Sequence, residues 1–108
     1  MTFEVSKKDW ALFRKKVPDW QEAYMDKLNK EYIELLSGAG NPSEKFWKLE
    51  ERIREDKKMK GVMMDMRRSQ FLYNVLCLLN EGVISKDDLE EFSDELKDAV
   101  SFFLNIND

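Results

Sequence analysis

The chain has 108 residues, enough for one self-sufficient domain, with 18 basic and 22 acidic side chains and a net charge of −4. An apolar share of 43% excludes wholesale disorder, and 4 glycines and 2 prolines leave little to interrupt helices. The absence of histidine removes the commonest general base and metal ligand, and a single cysteine, Cys77, excludes an internal disulfide or a cysteine-built zinc site.

In chain order the pattern predicts five helices, at about 7–16, 18–37, 42–58, 62–80 and 86–104. The first opens on Ser6-Lys7-Lys8-Asp9, where the Ser6 hydroxyl suits the Asp9 amide and the carboxylate faces the positive helix end. Trp10, Phe13 and Val17 line its apolar face. Pro18 disfavours a helical Val17 and predicts a boundary, with proline at the first position of the next helix. Trp20, Tyr24, Leu28, Tyr32 and Leu35 then recur at helical spacing until Gly38 stops the run.

Asn41-Pro42 starts the third helix, whose apolar stripe is Phe46, Leu49 and Ile53. Lys57, Lys58 and Lys60 close it near Gly61. A glycine costs a helix interior only about 1 kcal/mol, so helices three and four are open to continuity at this point. The fourth helix carries Phe71-Leu72-Tyr73-Asn74-Val75-Leu76-Cys77-Leu78-Leu79, apolar on nearly every side, and reads as the central post of a compact bundle ended by Gly82. The fifth opens on the capping box Ser85-Lys86-Asp87-Asp88, with Ile84 and Leu89 as a hydrophobic staple. Leu89, Phe92, Leu96, Ala99, Val100 and Phe103 form its buried face. These readings give a single all-α domain spanning residues 1–108.

Charge is unevenly spread, with net +3 over residues 44–68 and −7 over residues 69–108. Phosphate contacts on the basic stretch would come from Lys45, Lys48, Arg52, Lys57, Lys58, Lys60, Arg67 and Arg68. Interleaved acids make a solvated, ion-paired helix face the plainer reading. Asp87, Asp88, Glu90 and Glu91 lack the EF-hand spacing and suit the positive start of a helix; as a set they could also enter a basic groove on another protein. The chain has no phosphate-binding glycine loop and no sign of a cofactor or metal site. The longest uncharged run, between Arg68 and Glu81, holds twelve residues, short of the roughly 20 a membrane helix needs.

The methionines Met59, Met63, Met64 and Met66 are either ordinary core filling or an adaptable partner surface. Trp47 falls off the Phe46–Leu49–Ile53 stripe and is expected at the surface. Phe102, Leu104 and Ile106 lie off the main face of the last helix, where they either close the bundle or form a self-association patch.

Two stretches carry a resemblance. One is Phe46-Trp47-Lys48-Leu49-Glu50-Glu51-Arg52-Ile53 with Asp56-Lys57-Lys58 and Gly61-Val62. The other is Leu79-Asn80-Glu81-Gly82-Val83-Ile84 with Asp88-Leu89 and Phe92-Ser93-Asp94-Glu95-Leu96-Lys97. With Tyr24 to Leu36 they resemble short bacterial helical proteins of unknown role, a group sometimes labelled multidrug transporter. The resemblance spans most of the chain and implies no activity and no site. The transporter label does not fit, since no segment is long and apolar enough to span a bilayer.

The expectation is therefore a non-enzymatic protein-binding module, a small cytoplasmic regulator or inhibitor with a protein partner or a second copy of itself. Its expected contacts are Trp47, the four methionines, Phe102, Leu104 and Ile106. The competing expectation is action on nucleic-acid machinery, through the 45–68 basic face or the acidic segment 86–98.

Overall fold

The computed structural model describes residues 3–107, with side chains as far as Asn105, so the side chain of Ile106 lies outside the described residues. The described chain is all-α, without a strand. It has four α-helices rather than five: α1 Lys7–Ser37, α2 Pro42–Asp56, α3 Phe71–Asn80 and α4 Asp94–Asn107. Single 3-10 turns, Arg68–Gln70 and Lys86–Leu89, precede α3 and α4.

α1 begins as its sequence dictates, with Ser6 Oγ accepting from the Asp9 amide at 3.0 Å. The boundary expected at Pro18 is absent, and the helix runs through the proline. Pro18 supplies no N–H to the ladder, which costs a helix interior about 3 kcal/mol. Packing on both sides of it offsets that cost. Phe13 and Val17 are buried within the turn and a half before the proline. Trp20, just after it, meets the Phe13 ring edge-on at 6.1 Å and the Phe92 ring at 6.4 Å. Pro18 and Arg14 are themselves exposed, so water can take the carbonyl that the missing N–H leaves free.

The resulting 31-residue helix is about 46 Å long and accounts for most of the 52 Å long axis of the molecule. Its first half lies in the core with α3 and α4. Its second half leaves the core and pairs with α2, forming a two-helix arm.

The turn into α2 uses Gly40 at φ 136°, and Pro42 opens the helix as expected. Two polar contacts fasten the arm: Arg52 pairs with Glu31 at 3.0 Å, and Tyr32 donates to Asp56 at 2.5 Å, while Arg52 also meets Asp56 at 3.7 Å within α2. The Arg52 guanidinium also lies over the Tyr32 ring, 5.6 Å from its centroid. No residue of α2 is buried. Phe46, expected to face a core, is 62% exposed, because a two-helix layer has nothing to lay over that side.

The break at Gly61 is real, and it extends well past the glycine. Residues 57–67 are turns and irregular chain, and α3 starts at Phe71 rather than near Val62. Turn bonds hold part of this stretch, as from the Val62 and Met63 amides to the Met59 carbonyl at 3.0 Å, and side chains take other backbone groups. Gln21 Nε2 donates to the Lys60 carbonyl at 3.0 Å, the Gly61 amide donates to Glu81 Oε1 at 3.2 Å, and Asn74 Nδ2 donates to the Asp65 carbonyl at 2.8 Å. These long-range bonds satisfy groups that a helix would otherwise have paired internally.

α3 is not buried all round, as a central post would be. Phe71, Asn74, Val75 and Leu78 face inward while Tyr73 is exposed. Gly82 ends the run at φ 75°.

The Ser85 capping box forms, with the Ser85 amide donating to Asp88 Oδ2 at 2.7 Å. It closes only the 3-10 turn, however. The expected helix 86–104 is interrupted at residues 90–93, and α4 starts at Asp94. The cause is Asp9, 2% exposed, whose carboxylate accepts from the Ser93 amide at 3.0 Å and from Ser93 Oγ at 2.5 Å. Ser93 Oγ in turn accepts from the Leu96 amide at 3.2 Å and caps α4. One carboxylate thus stitches the start of the first helix to the start of the last.

The expected inner face of the last segment survives the interruption. Leu89, Phe92, Leu96, Ala99 and Val100 are buried, and Phe103 is half-buried. They close over Phe13, which meets Phe71 edge-on at 5.0 Å.

Candidate functional site

Apart from Tyr73 on α3, the exposed large apolar groups gather at three places: the arm, the 57–67 loop and the end of α4. On the arm, Phe46 and Trp47 meet edge-to-face at 5.0 Å, and both rings face solvent, Trp47 being 63% exposed. The spacing already set Trp47 apart from the stripe; it did not show that Phe46 would be equally uncovered. Ile33 and Leu36 on α1 are exposed too, and neither stood out in the sequence.

A hollow of about 310 Å³ opens beside Phe46, Leu49 and Ile53, rimmed by Glu50, Arg54 and Lys57. A second, of about 300 Å³, shares Ile53 and Lys57 with it and adds Met25, Leu28, Asn29, Tyr32 and Val62.

In the loop the methionines divide. Met64 packs against the core, Met59 is half-buried, and Met63 and Met66 are exposed, Met63 at 63%. The methionine group is therefore partly core filling and partly surface. On α4, Phe102 is exposed beside Phe103, whereas Leu104 packs against the core and closes it.

Comparison with protein-family models, with curated proteins and with solved structures finds no match.

Most of the basic residues singled out for phosphate are engaged within the chain. Arg52 holds Glu31 and Asp56, Lys58 pairs with Glu55 at 3.2 Å, and Arg67 with Asp65 at 2.5 Å. The Arg67 hydrogen bonds hold the Asp65 carboxyl below its ordinary value. Arg68 donates to the Val5 carbonyl at 2.9 Å, and the Lys60 ammonium lies 5.4 Å from the centre of the Tyr73 ring. Lys45, Lys48 and Lys57 have no ion pair among the described residues. They sit on α2 and its C-terminal end, where Glu44, Glu50, Glu51 and Glu55 interleave.

The acidic set is likewise divided. Asp88 is bound back to Ser85, Glu91 pairs with Lys16 at 3.1 Å, and Asp87 and Glu90 are exposed. Among the described residues, no three His, Cys, Asp or Glu side chains are grouped to hold a metal, and no helix is long and apolar enough to cross a membrane.

The tie between Tyr32 and Asp56 makes the arm sensitive to alkali. Burial and the hydrogen bond to Asp56 push the Tyr32 phenol up to about 12 from its ordinary 10. A raised folded-state value means that this contribution to stability is complete below pH 10 and is lost as pH climbs through 12. Spectrophotometric titration of wild type against Tyr32→Phe is expected to assign the late-ionising phenol to Tyr32. The alkaline loss of arm helicity between those limits should shrink in the variant. Difference spectra that place the Tyr32 ionisation near 10 would refute this.

Proposed function

We propose that the chain works as a non-enzymatic protein–protein interaction module, a small regulator or inhibitor that acts by occupying a partner's surface. The observation that carries this reading is the display of large apolar side chains on an arm whose second helix has no fully buried residue. Scattered exposed leucines are ordinary on a monomer, but adjoining Phe46 and Trp47, the first of them beside an apolar hollow, are the sort of anchor that protein interfaces use. Met63 and Met66 add adaptable contacts on the loop. The lack of histidine supports a role other than catalysis. One half-buried cysteine, Cys77, fits a reducing compartment, and we place the protein in the cytoplasm on that ground. Direct phosphate binding draws less support, since five of its eight candidate cations already have partners within the chain.

Immobilised full-length chain is expected to retain a protein partner. Trp47→Ala combined with Met63→Ala should weaken that capture at least about tenfold while moving stability by no more than roughly 0.5 kcal/mol. Failure to retain any partner, together with a monodisperse monomer in solution, overturns the reading.

A further inference from the structure

The 57–67 loop is held down unevenly. Its first half is pinned at Gly61, which is buried and whose amide donates to Glu81 Oε1 at 3.2 Å. Just past its far end, Arg68 donates to the Val5 carbonyl at 2.9 Å. Between these anchors Met63, Asp65, Met66 and Arg67 are exposed, and Met64 packs against the core. The side chains of Asp65 and Arg67 bind each other: Asp65 Oδ1 accepts from the Arg67 amide at 3.1 Å and from Arg67 Nε at 3.0 Å. Those bonds stay within the segment and travel with it. Among the described residues, a single hydrogen bond joins residues 64–67 to an α-helix, from Asn74 Nδ2 to the Asp65 carbonyl at 2.8 Å.

That bond uses only half of its donor's capacity. Asn74 is 1% exposed, and its Oδ1 is enclosed without a donor among the described residues. An amide oxygen enclosed in this way forgoes hydrogen bonds that it makes in water. The closed arrangement therefore rests on one bond and the Met64 contacts, and it carries a cost that opening removes. We propose that residues 64–67 form a strap, hinged at Met63 and Arg68, that lifts from α3 as a unit and uncovers Met64 and Asn74.

Closed, the strap turns Met64 inward and leaves Met63 and Met66 exposed on either side of it. Open, the three stand together as one adaptable apolar surface. The contact with Asn74 is thus autoinhibitory toward a partner that engages the loop methionines. That role rests on the protein-binding reading; the motion does not, and it is read on the chain alone. The open form is expected at about 1%, within the range of minor states that a partner can select.

The side-chain amide protons of Asn74 report the motion directly, since the strap must lift before water reaches them. Exchange followed by NMR on the full chain is expected to show them protected about a hundredfold, with little dependence on low urea. The backbone amides of buried Val75 and Leu78 in the same helix should be protected at least about a hundredfold more, with a steep urea dependence. Asn74→Leu gives a second reading. Leucine removes the enclosed oxygen and adds apolar contact, and the Asp65 carbonyl, on an exposed residue, can turn to water. Peroxide oxidation of Met64, scored against Met63 by mass spectrometry, should then slow about tenfold, while half-buried Met59 outside the strap keeps its wild-type rate. Asn74 protons protected as strongly as the Val75 amide, with the same urea dependence, overturn the proposal; a water held permanently on Oδ1 would give that result. Met64 oxidation that is unchanged or faster in Asn74→Leu overturns it as well. Exchange as expected, with no partner captured by the full chain, upholds the strap and removes its inhibitory role.

Discussion

Replacing Asp9 with alanine is expected to lower stability by about 3 kcal/mol, read as a shift of the urea midpoint at nearly constant slope. The carboxylate is 2% exposed and takes two hydrogen bonds from Ser93, at the backbone amide and at Oγ. Bonds to a charged acceptor are each worth about 1.5–3 kcal/mol, and truncation leaves the Ser93 donors without their acceptor. Asp9→Asn keeps one accepting oxygen and should lose about half as much. Ser93→Ala removes the hydroxyl bond and the α4 cap but spares the amide bond, and should cost about 2 kcal/mol. The two positions belong to one network, so Asp9→Ala and Ser93→Ala together should cost clearly less than their sum. Strict additivity, or an Asp9→Ala loss under about 1 kcal/mol, would show that the stitch contributes little.

Gly61→Ala is expected to cost about 2–3 kcal/mol, although alanine is ordinarily the better helix former. A Cβ at this position would lie 2.8 Å from Cγ of Tyr24 and 2.8 Å from Cγ2 of Val83, and closer still to Cδ2 of Tyr24. A ring carbon of a half-buried tyrosine yields poorly, so the loop would have to retreat. Retreat stretches both the Gln21 bond to the Lys60 carbonyl and the Gly61 bond to Glu81. Removing both obstacles should remove most of the cost: in a Tyr24→Ala, Val83→Ala background, Gly61→Ala should cost under about 1 kcal/mol. Equal costs in the two backgrounds would mean that the close approach is not what requires the glycine.

These two residues also mark where the sequence was readable and where it was not. Local signals were sound. Ser6 and Pro42 start helices where their capping chemistry says, Gly82 stops one, and the inward face from Leu89 to Val100 follows its periodicity. What failed in each case was overruled by a contact distant in sequence. Pro18 is a boundary by its own chemistry, yet Phe13, Trp20 and Phe92 hold the helix straight through it. Ser85 has the full capping box and Ser93-Asp94-Glu95 only a hydroxyl and two acids, yet the long helix starts at the second, where Asp9, 84 positions away, holds Ser93. Gly61 could be named as a weak point, but the ring that requires it could not. On the candidate surface, spacing separated Trp47 from its stripe. Periodicity identifies an apolar side without saying whether the chain has anything to put against it, so the exposure of Phe46, Ile33 and Leu36 came only from the tertiary arrangement.

The bond between Asp9 and Ser93 also bears on how the protein is made. Phe13 and Val17 emerge from the ribosome early, but the side chains that enclose them belong to residues 71–100. Until that last third has been translated, α1 must wait with its aromatic flank wet and its buried carboxylate unclaimed. Productive folding is therefore deferred until the chain has been made as far as residue 100, and apolar surface stays exposed throughout that interval.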